Sequence, residues 1–526
     1  MKKKIIYTLV CILLITIINP NSTGVFYVDK TNEKILFGES TVDWWPMFHH
    51  DLNHSGYSTD DTPETNNVKW TYTTEYWVYS SPAVFNGKVY IGSDDGKMYC
   101  LDADDGTEIW NYTTGDWVDS SPAVYDGKVY FGSLDCKVYC LDADDGTEIW
   151  NYTTGDWVYS SPAISDGKIY IGSFDNKVYC LDANDGTEIW TYATGGWMFS
   201  SPAVSNGKIY IGSDDGKVYC LDSDNGSEIW TYTTGDWVWS SPAINDNKIY
   251  FGSGDFNVYC IDANLGMEIW IYTTEDWVDS SPAVFNGNIY IGSFDGKVYC
   301  LDADDGTEIW NYTTGGSVDS SPAVSDGKIY IGSFDGKVYC LDAGDGNEIW
   351  SYATGDNVRS SPAISDGKVY IGSVDYKVYC FGEPIPDLSC EGNLVKTEVK
   401  RGETATGNFT VDNIGEPGSL LDWEIINWPK NWGTWTFTPM SSNDLTPEDE
   451  PITINVSVVA PGKKNSEFTG EVVIANKHNT SDNCTIPVYI KTPKNKPFCF
   501  NLPLLDQLFK QFPNTLSILR FFLDIF

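Results

Sequence analysis

The 526-residue chain sets 33 Lys and Arg against 74 Asp and Glu, and its formal net charge of −41 excludes nucleic-acid binding and opposes adhesion to anionic lipid. Such acidity fits a saline habitat or a cation-binding role, and composition does not choose between them. Histidine is nearly absent, with four residues in all, while 13 cysteines demand an account of their redox state.

Residues 1–22 read as a signal peptide. Met1-Lys2-Lys3-Lys4 is the charged start and Ile5 to Ile18 the apolar run, too short to span a bilayer, so the protein is expected to be exported. Cys11 lies inside that run behind Val10, where a lipoprotein cleavage site would need a small residue, so no lipid anchor is read. No other segment is long and apolar enough to cross a membrane. A lead-in segment, residues 23–67, contains Trp45-Pro46-Met47-Phe48, His50-Asp51 and Ser55-Gly56. His50 and His54 with Asp51 have a spacing that can hold a metal on a helix, yet no metal site is assigned there.

From residue 68 to 382 one unit returns every 40 residues. Its start, Ser-Ser-Pro-Ala, stands at Ser80, Ser120, Ser160, Ser200, Ser240, Ser280, Ser320 and Ser360 without insertion or deletion. Each unit reads as four short strands, for example Ser81 to Val84, Lys88 to Ser93, Lys97 to Asp102 and Glu108 to Thr114. Asn86-Gly87, Asp95-Gly96 and Asp105-Gly106 supply the turns between them. Four-stranded antiparallel units at this period predict a β-propeller. A fourth-type strand, Val68 to Thr74, precedes the first Ser-Ser-Pro-Ala, and the last unit stops after its third strand at Cys380. Eight blades are therefore expected, the N-terminal strand completing the last and removing two unpaired edges.

Leu101-Asp102-Ala103-Asp104-Asp105-Gly106-Thr107-Glu108-Ile109-Trp110 resembles the tryptophan-docking motif of the pyrroloquinoline-quinone-repeat propellers, and Trp45-Pro46-Met47-Phe48 is similar to the lead-in of many such proteins. The likeness spans roughly residues 44 to 382. It implies the propeller fold, whereas the family's functions range from quinoprotein alcohol dehydrogenases to an outer-membrane barrel-assembly scaffold lipoprotein and secreted proteins without a known ligand. The dehydrogenases hold their quinone with an adjacent cysteine pair, a calcium-ligating carboxylate set and a catalytic Asp. No Cys-Cys pair exists here, so the resemblance implies no quinone cofactor.

Eight cysteines, Cys100 and its equivalents up to Cys380, hold one position per unit. Packed sheets lie roughly 10 Å apart whereas a disulfide needs Cα atoms within about 7 Å, so these are expected to be buried free thiols. Asp102, Asp104 and Asp105 before Gly106 can ligate calcium or form a structural hairpin; their replacement by Asn184, Gly344 and Leu265 in other units favours the hairpin. Asn111, Asn151 and Asn311 begin Asn-Tyr-Thr sequons on the outermost strands and are candidate glycosylation sites.

Departures from the repeat mark a candidate site. Before Ser-Ser-Pro-Ala stand Tyr79, Asp119, Tyr159, Phe199, Trp239, Asp279, Asp319 and Arg359; in the second hairpin of several units stand Phe174, Phe256, Phe294, Phe334 and Tyr376. Tyr79, Tyr159, Phe199, Trp239 and Phe256 are expected to be largely exposed on one loop face and to bind a carbohydrate or protein ligand. Two positions earlier, Trp77, Trp117, Trp157, Trp197, Trp237 and Trp277 read as structural plugs under the connections. Asp119, Asp279 and Asp319 offer a carbohydrate-active alternative, disfavoured because they lie in different units and no raised acid can be argued for them.

Beyond residue 382 the repeat stops. Residues 388–492 alternate in short segments such as Gly407 to Val411, Ile452 to Val456 and Gly470 to Ile474, which predict an immunoglobulin-like sandwich. Cys390 and Cys484 are candidates for a disulfide between its first and last strands, and Trp423, Trp428, Trp432 and Trp435 for its core. Residues 493–526 carry Leu502, Leu505, Leu508 and Phe509 at helical spacing, an amphipathic tail that either attaches the protein to a surface or packs on the sandwich. The chain thus reads as all-β, an eight-bladed propeller followed by a sandwich, and as a secreted or cell-surface binding scaffold; the alternative is a quinone-dependent dehydrogenase.

Overall fold

The computed structural model describes residues 42–494, so the expected signal peptide and the tail from residue 495 onward lie outside the described residues. These residues form strands, turns and no helix, and no helix among them is long and apolar enough to cross a membrane. The chain divides into two compact units between Glu383 and Pro384.

In the first unit each repeat is one four-stranded antiparallel sheet. Strand β1 is Val68–Thr73, and the first complete sheet follows as β2 (Ala83–Phe85), β3 (Lys88–Ser93), β4 (Lys97–Asp102) and β5 (Glu108–Thr113). Six further copies between Ala123 and Ala353 supply β6 to β29, and β30 (Ala363–Ser365), β31 (Lys368–Ser373) and β32 (Lys377–Gly382) begin the last. The β2–β3 turn has Asn86 and Gly87 at φ 53° and 73°, the pair of left-handed residues that a two-residue hairpin needs. Asp102 closes the β4–β5 turn, its Oδ1 accepting the Asp104 amide at 2.8 Å, and the Asp105 Oδ1 accepts the Thr107 amide at 2.9 Å. The repeated carboxylates are thus occupied as turn closures. All-β architecture built from many four-stranded antiparallel sheets is that of a β-propeller.

The indole and phenol that join neighbouring sheets recur in nearly every copy, and a lysine–carboxylate pair joins them in about half. The Trp110 indole donates to the Ala143 carbonyl of the next sheet at 3.2 Å, Tyr90 donates to that same carbonyl at 3.1 Å, and Lys88 meets Asp144 at 2.7 Å. On the rim Tyr112 donates to Glu148 of the next sheet. At the innermost strands the Ser81 amide donates to Ser121 Oγ, and the pattern runs through Ser161, Ser201, Ser241, Ser281, Ser321 and Ser361 and back to Ser81, each at 2.9–3.0 Å.

The eighth sheet is completed from the other end of its unit. β1 pairs antiparallel with β32, Trp70 opposite Cys380, in the sheet order β1-β32-β31-β30. That sheet has no Leu-Asp-Ala-Asp turn to offer its predecessor, because the chain runs on as Phe381-Gly382-Glu383-Pro384. Thr62-Pro63-Glu64 stands in. Tyr330 and Trp350 donate to the Pro63 carbonyl at 3.1 and 3.4 Å, and Lys328 pairs with Glu64 at 2.9 Å. A different backbone thus presents one carbonyl and one carboxylate where the repeat presents Ala143 and Asp144.

The lead-in segment crosses the C-terminal ends of the innermost strands. Carbonyls of Trp45, Pro46, Leu52, Asn53, Ser55 and Gly56 accept, at 2.7–2.8 Å, the amides of Val84, Val124, Val204, Ile244, Val284 and Val324, one in each of six sheets. Gly56 is fixed twice over: its φ is +62°, and a Cβ there would lie 2.7 Å from that of Ala283. Its histidines are structural. His54 Nδ1 lies 3.1 Å from the Pro242 carbonyl, and His49 Nδ1 lies 3.4 Å from the His54 carbonyl. Burial depresses both rings, to about 3 for His49 and about 4 for His54, so both are neutral. His50 lies between Asp43 at 3.2 Å and Asp51 at 3.7 Å; burial opposes its charge, but these carboxylates outweigh it and raise it to about 9.

The second unit is two packed sheets. One orders β33 (Leu388–Gly392), β35 (Thr404–Asn413), β39 (Ile452–Val459) and β37 (Trp435–Thr438). The other orders β34 (Leu394–Lys396), β41 (Asn483–Lys491), β40 (Glu467–Asn476), β36 (Leu421–Asn427) and β38 (Ser441–Leu445). Trp423 and Trp432 are buried in the core between them, Trp428 and Trp435 pack partly buried against it, and Cys390 and Cys484 form a disulfide.

Two predictions follow from this packing. Amide protection across residues 42–58, corrected for the intrinsic rise of exchange with pH, should peak near pH 6.5 and fall on either side. His50, raised, contributes fully below its ordinary 6.5 and loses that contribution as pH rises through about 9. His49 and His54, depressed, contribute above 6.5 and lose it as pH falls toward 4 and 3. His50→Gln should abolish only the alkaline limb. The eight repeated thiols are free, and burial pushes each up to about 12. Alkylation of the native protein followed by mass mapping should therefore modify Cys136, the one partly exposed free cysteine among the described residues, and leave Cys100 and its equivalents unmodified until unfolding.

Candidate functional site

At the N-terminal ends of the innermost strands the repeat loses its regularity, and a simple packing rule emerges. The residue two places before Ser81, and its equivalents, meets the residue after Ser93 in the preceding sheet. Phe174 lies 4.4 Å from Phe199 between ring centroids, the Trp239 indole donates to Asp214 at 3.0 Å, and Phe334 receives the Arg359 guanidinium at 5.4 Å. The same rule brings Asp94 to Asp119, whose carboxyls act on each other directly.

One arc of this end is aromatic. Tyr159, Phe199 and Trp239 follow one another at 5.2 and 4.3 Å between ring centroids, with Phe174 against Tyr159 at 4.7 Å and Trp237 against Trp239 at 5.2 Å. Tyr79, Tyr159, Phe199 and Trp239 are half-buried rather than largely exposed, because each ring rests on its neighbours. Phe256 is 39% exposed but does not share their contacts. It occupies the turn position of Gly96, with φ 74°, and its carbonyl accepts from Thr274, so it stands apart from the arc. The hairpin aromatics therefore divide: Phe174, Phe294 and Phe334 belong with Asp94 and Asp214, whereas Phe256 and Tyr376 belong with Gly96.

The expectation that the repeated tryptophans are plugs fails for four of the six, while Trp77 and Trp237 are half-buried. Trp117, Trp157, Trp197 and Trp277 are 39–50% exposed, and Trp197 stacks on Phe174 at 5.4 Å with nearly parallel rings. Their backbones, not their side chains, hold the connections: carbonyls of Trp117 and Trp157 accept the amides of Leu134 and Phe174. Trp237 differs because Gly254 leaves room for it. A Cβ on Gly254 would sit 2.4 Å from Trp237 Cε2, and with that space free the Trp237 indole reaches Asp279 at 3.2 Å.

The remaining arc is charged. Arg359 holds Asp319 through Nε at 2.8 Å and a terminal nitrogen at 2.7 Å, and lies 4.8 Å over the Tyr79 ring. Burial and the neighbouring Asp319 raise Asp279 to about 7 against the hydrogen bond from Trp237. Asp94 is only 4% exposed, and neither of its oxygens receives a hydrogen bond. Burial, then the facing Asp119, hold it well above the ordinary carboxylate range, and burial raises Asp119 as well. Sequence reading missed Asp94 because Asp95 beside it repeats in every unit. The signal was the irregular series Asp94, Leu134, Phe174, Asp214, Gly254, Phe294, Phe334 and Val374. Asn111, Asn151 and Asn311 are exposed on their outermost strands.

Among the described residues no group of three His, Cys, Asp or Glu side chains is placed to hold a metal ion.

Comparison with known proteins supports a PQQ-repeat, BamB-like β-propeller. Residues 254–382 match the family model described as outer membrane protein assembly factor BamB, and residues 53–288 that described as beta-alanine-activating enzyme, beta-propeller. Among solved structures, BamB from Moraxella catarrhalis is 19% identical with a TM-score of 0.55 over 60% of this chain and 99% of its own. A europium-containing methanol dehydrogenase is 14% identical with a TM-score of 0.57 over 65% of this chain and 98% of its own. The quinohemoprotein alcohol dehydrogenase from Comamonas testosteroni is 17% identical with a TM-score of 0.57 over 68% and 83%. At these identities the likeness is one of fold. No curated protein matches the chain.

A substitution isolates the role of Gly254. Gly254→Ala should push Trp237 off Asp279, and Trp237→Phe should remove the same donor without the clash. Either change should raise Asp279 further above about 7, because the lost hydrogen bond is what lowers it; carboxyl-carbon NMR of Asp-labelled protein reads the shift.

Proposed function

We propose that the protein is an exported binding scaffold. In this reading the eight sheets are the blades of one closed β-propeller, and the N-terminal ends of the innermost strands form the binding mouth. The second unit, an immunoglobulin-like sandwich, and the tail serve as spacer and attachment. The observation that carries the reading is the break in symmetry: a closely kept repeat places a continuous aromatic arc beside a charged arc at one end of its inner strands. Around it Trp117, Trp157, Trp197 and Trp277 expose broad apolar faces, which a monomeric surface keeps for a ligand or partner. Such rings suit a protein segment or a sugar. The BamB-like fold favours a protein partner.

A dehydrogenase reading draws on the structural likeness to the quinoprotein enzymes, but the residues at this end do not fit their cofactor. Pyrroloquinoline quinone brings three carboxylates, and the mouth presents Asp94, Asp119, Asp214, Asp279 and Asp319 with Arg359 already bound to Asp319. The chain also lacks adjacent cysteines. Adding the quinone with calcium and finding no bound absorbance separates the two readings. A carbohydrate-active enzyme gains a raised acid in Asp279, yet Asp319 is committed to Arg359 and Asp119 to Asp94.

The test replaces ring faces while keeping apolar bulk. Phe199→Leu with Trp239→Leu should abolish binding on a glycan and surface-protein array, with melting displaced by on the order of 1–3 kcal/mol, since half-buried rings are only partly truncated. Unchanged binding would remove this end from the function.

A further inference from the structure

Asp94 is the most anomalous polar group in the first unit. It is 4% exposed, and both its oxygens lie without a donor. The facing Asp119 leaves its own buried Oδ1 without a donor too. A buried carboxylate without a donor is costly, and a pair facing each other is relieved by a shared proton or by a cation that brings hydrogens to both. Arg359 acts on both carboxyls through its charge but gives them no hydrogen: its donors go to Asp319 and Tyr79. Around the cycle Tyr79 and Tyr159 flank Asp119, and both hydroxyls feel the Asp94 and Asp119 charges.

We propose that this end of the inner strands seats a primary ammonium group, the tip of a lysine side chain on a protein partner, on Asp119 with Asp94 behind it and the rings of Tyr79 and Tyr159 at its sides. The inference rests on the mouth being the binding site and names the chemistry it reads. A primary ammonium is the matching group because it brings three N–H donors on a compact charge, and aromatic faces hold the stem and the cation together. A guanidinium is broader and fork-shaped, and the neighbouring Arg359 already occupies the carboxylate suited to a fork.

The proton balance follows. Without ligand the pair holds one proton between its two carboxyls; the arriving ammonium takes over the stabilisation of the negative charge, and that proton leaves to solvent. The charged and titratable groups facing the pair are Arg359, Asp95 and Asp116 together with the Tyr79 and Tyr159 hydroxyls. Because ammonium and proton compete, affinity should rise with pH by up to about tenfold per unit while the pair holds its proton.

The experiment is calorimetry on the full chain in two buffers of different ionisation enthalpy. The probes are N-acetyl-lysine methylamide and N-acetyl-norleucine methylamide, which share a stem and differ in the ammonium. Expected are binding of the lysine compound alone and release of one proton. Asp119→Asn should abolish binding. Asp94→Asn, which leaves an amide donor to Asp119, should keep binding but release no proton. Asp105→Asn, on an exposed outer turn, should change nothing. Equal binding of the two probes would overturn the ammonium and leave the mouth as an apolar site. A loss in Asp105→Asn as large as in Asp119→Asn would reduce the effect to general attraction by an acidic protein and overturn the proposal. Failure of both probes while the array ligand still binds and is lost in the Phe199→Leu, Trp239→Leu variant would sink the ammonium but not the mouth. Failure of probes and array alike would sink both.

Discussion

The first unit depends on one contact: an indole of one sheet donating to a turn carbonyl of the next. A lone four-stranded sheet of this sequence has two apolar faces and no way to cover either, so its stability is that of its interfaces. Trp110 illustrates how much is concentrated there. Its ring is buried against the glycine of the following turn, where a Cβ at Gly146 would come within 2.7 Å, while its nitrogen reaches Ala143. The hydrogen bond itself is worth only about 1 kcal/mol net, but it fixes the register in which much larger apolar surfaces meet. Everything inward, including the serine cycle and the ends of the innermost strands, inherits its spacing from this contact.

Much of this was legible in the sequence because repetition averages away accident. A 40-residue period fixes strand number, turn positions and the equivalence of the eight cysteines, and the strand limits read from residues 88–102 coincide with β3 and β4. The extra N-terminal strand was legible by counting. Exposure was not. Whether Trp117 lies under its connection or over it is decided by χ angles and by the size of the residue one sheet away, neither of which a one-dimensional pattern carries. The same blindness placed Phe256 with Phe174, two residues apart in alignment yet turned to different surroundings by a left-handed backbone at 256.

The contacts between sheets carry most of the information at the N-terminal ends of the innermost strands. Asp94 and Asp119 are separated by 25 positions, and only the stagger between successive sheets makes them neighbours; so also for Asp214 and Trp239. Gly254 shows the converse, a residue whose importance is the volume it does not fill. Irregularity in a regular repeat was therefore a sound guide to location, whereas the chemistry of the location depended on which irregular residues the stagger pairs.

The lead-in segment has a consequence for the history of the chain. Near-identical 40-residue units invite unequal recombination, which adds or deletes whole units cleanly. Residues 45–56 work against that drift as a ruler. Their six carbonyls meet the innermost strands of the first, second and fourth to seventh sheets, passing over the third, and Pro63 and Glu64 arrive where the seventh sheet needs them. A chain with one unit more or fewer would bring its lead-in to the wrong strand and leave the last tryptophan without its carbonyl. The number of units is thereby written twice, once in the repeats and once in a dozen residues ahead of them.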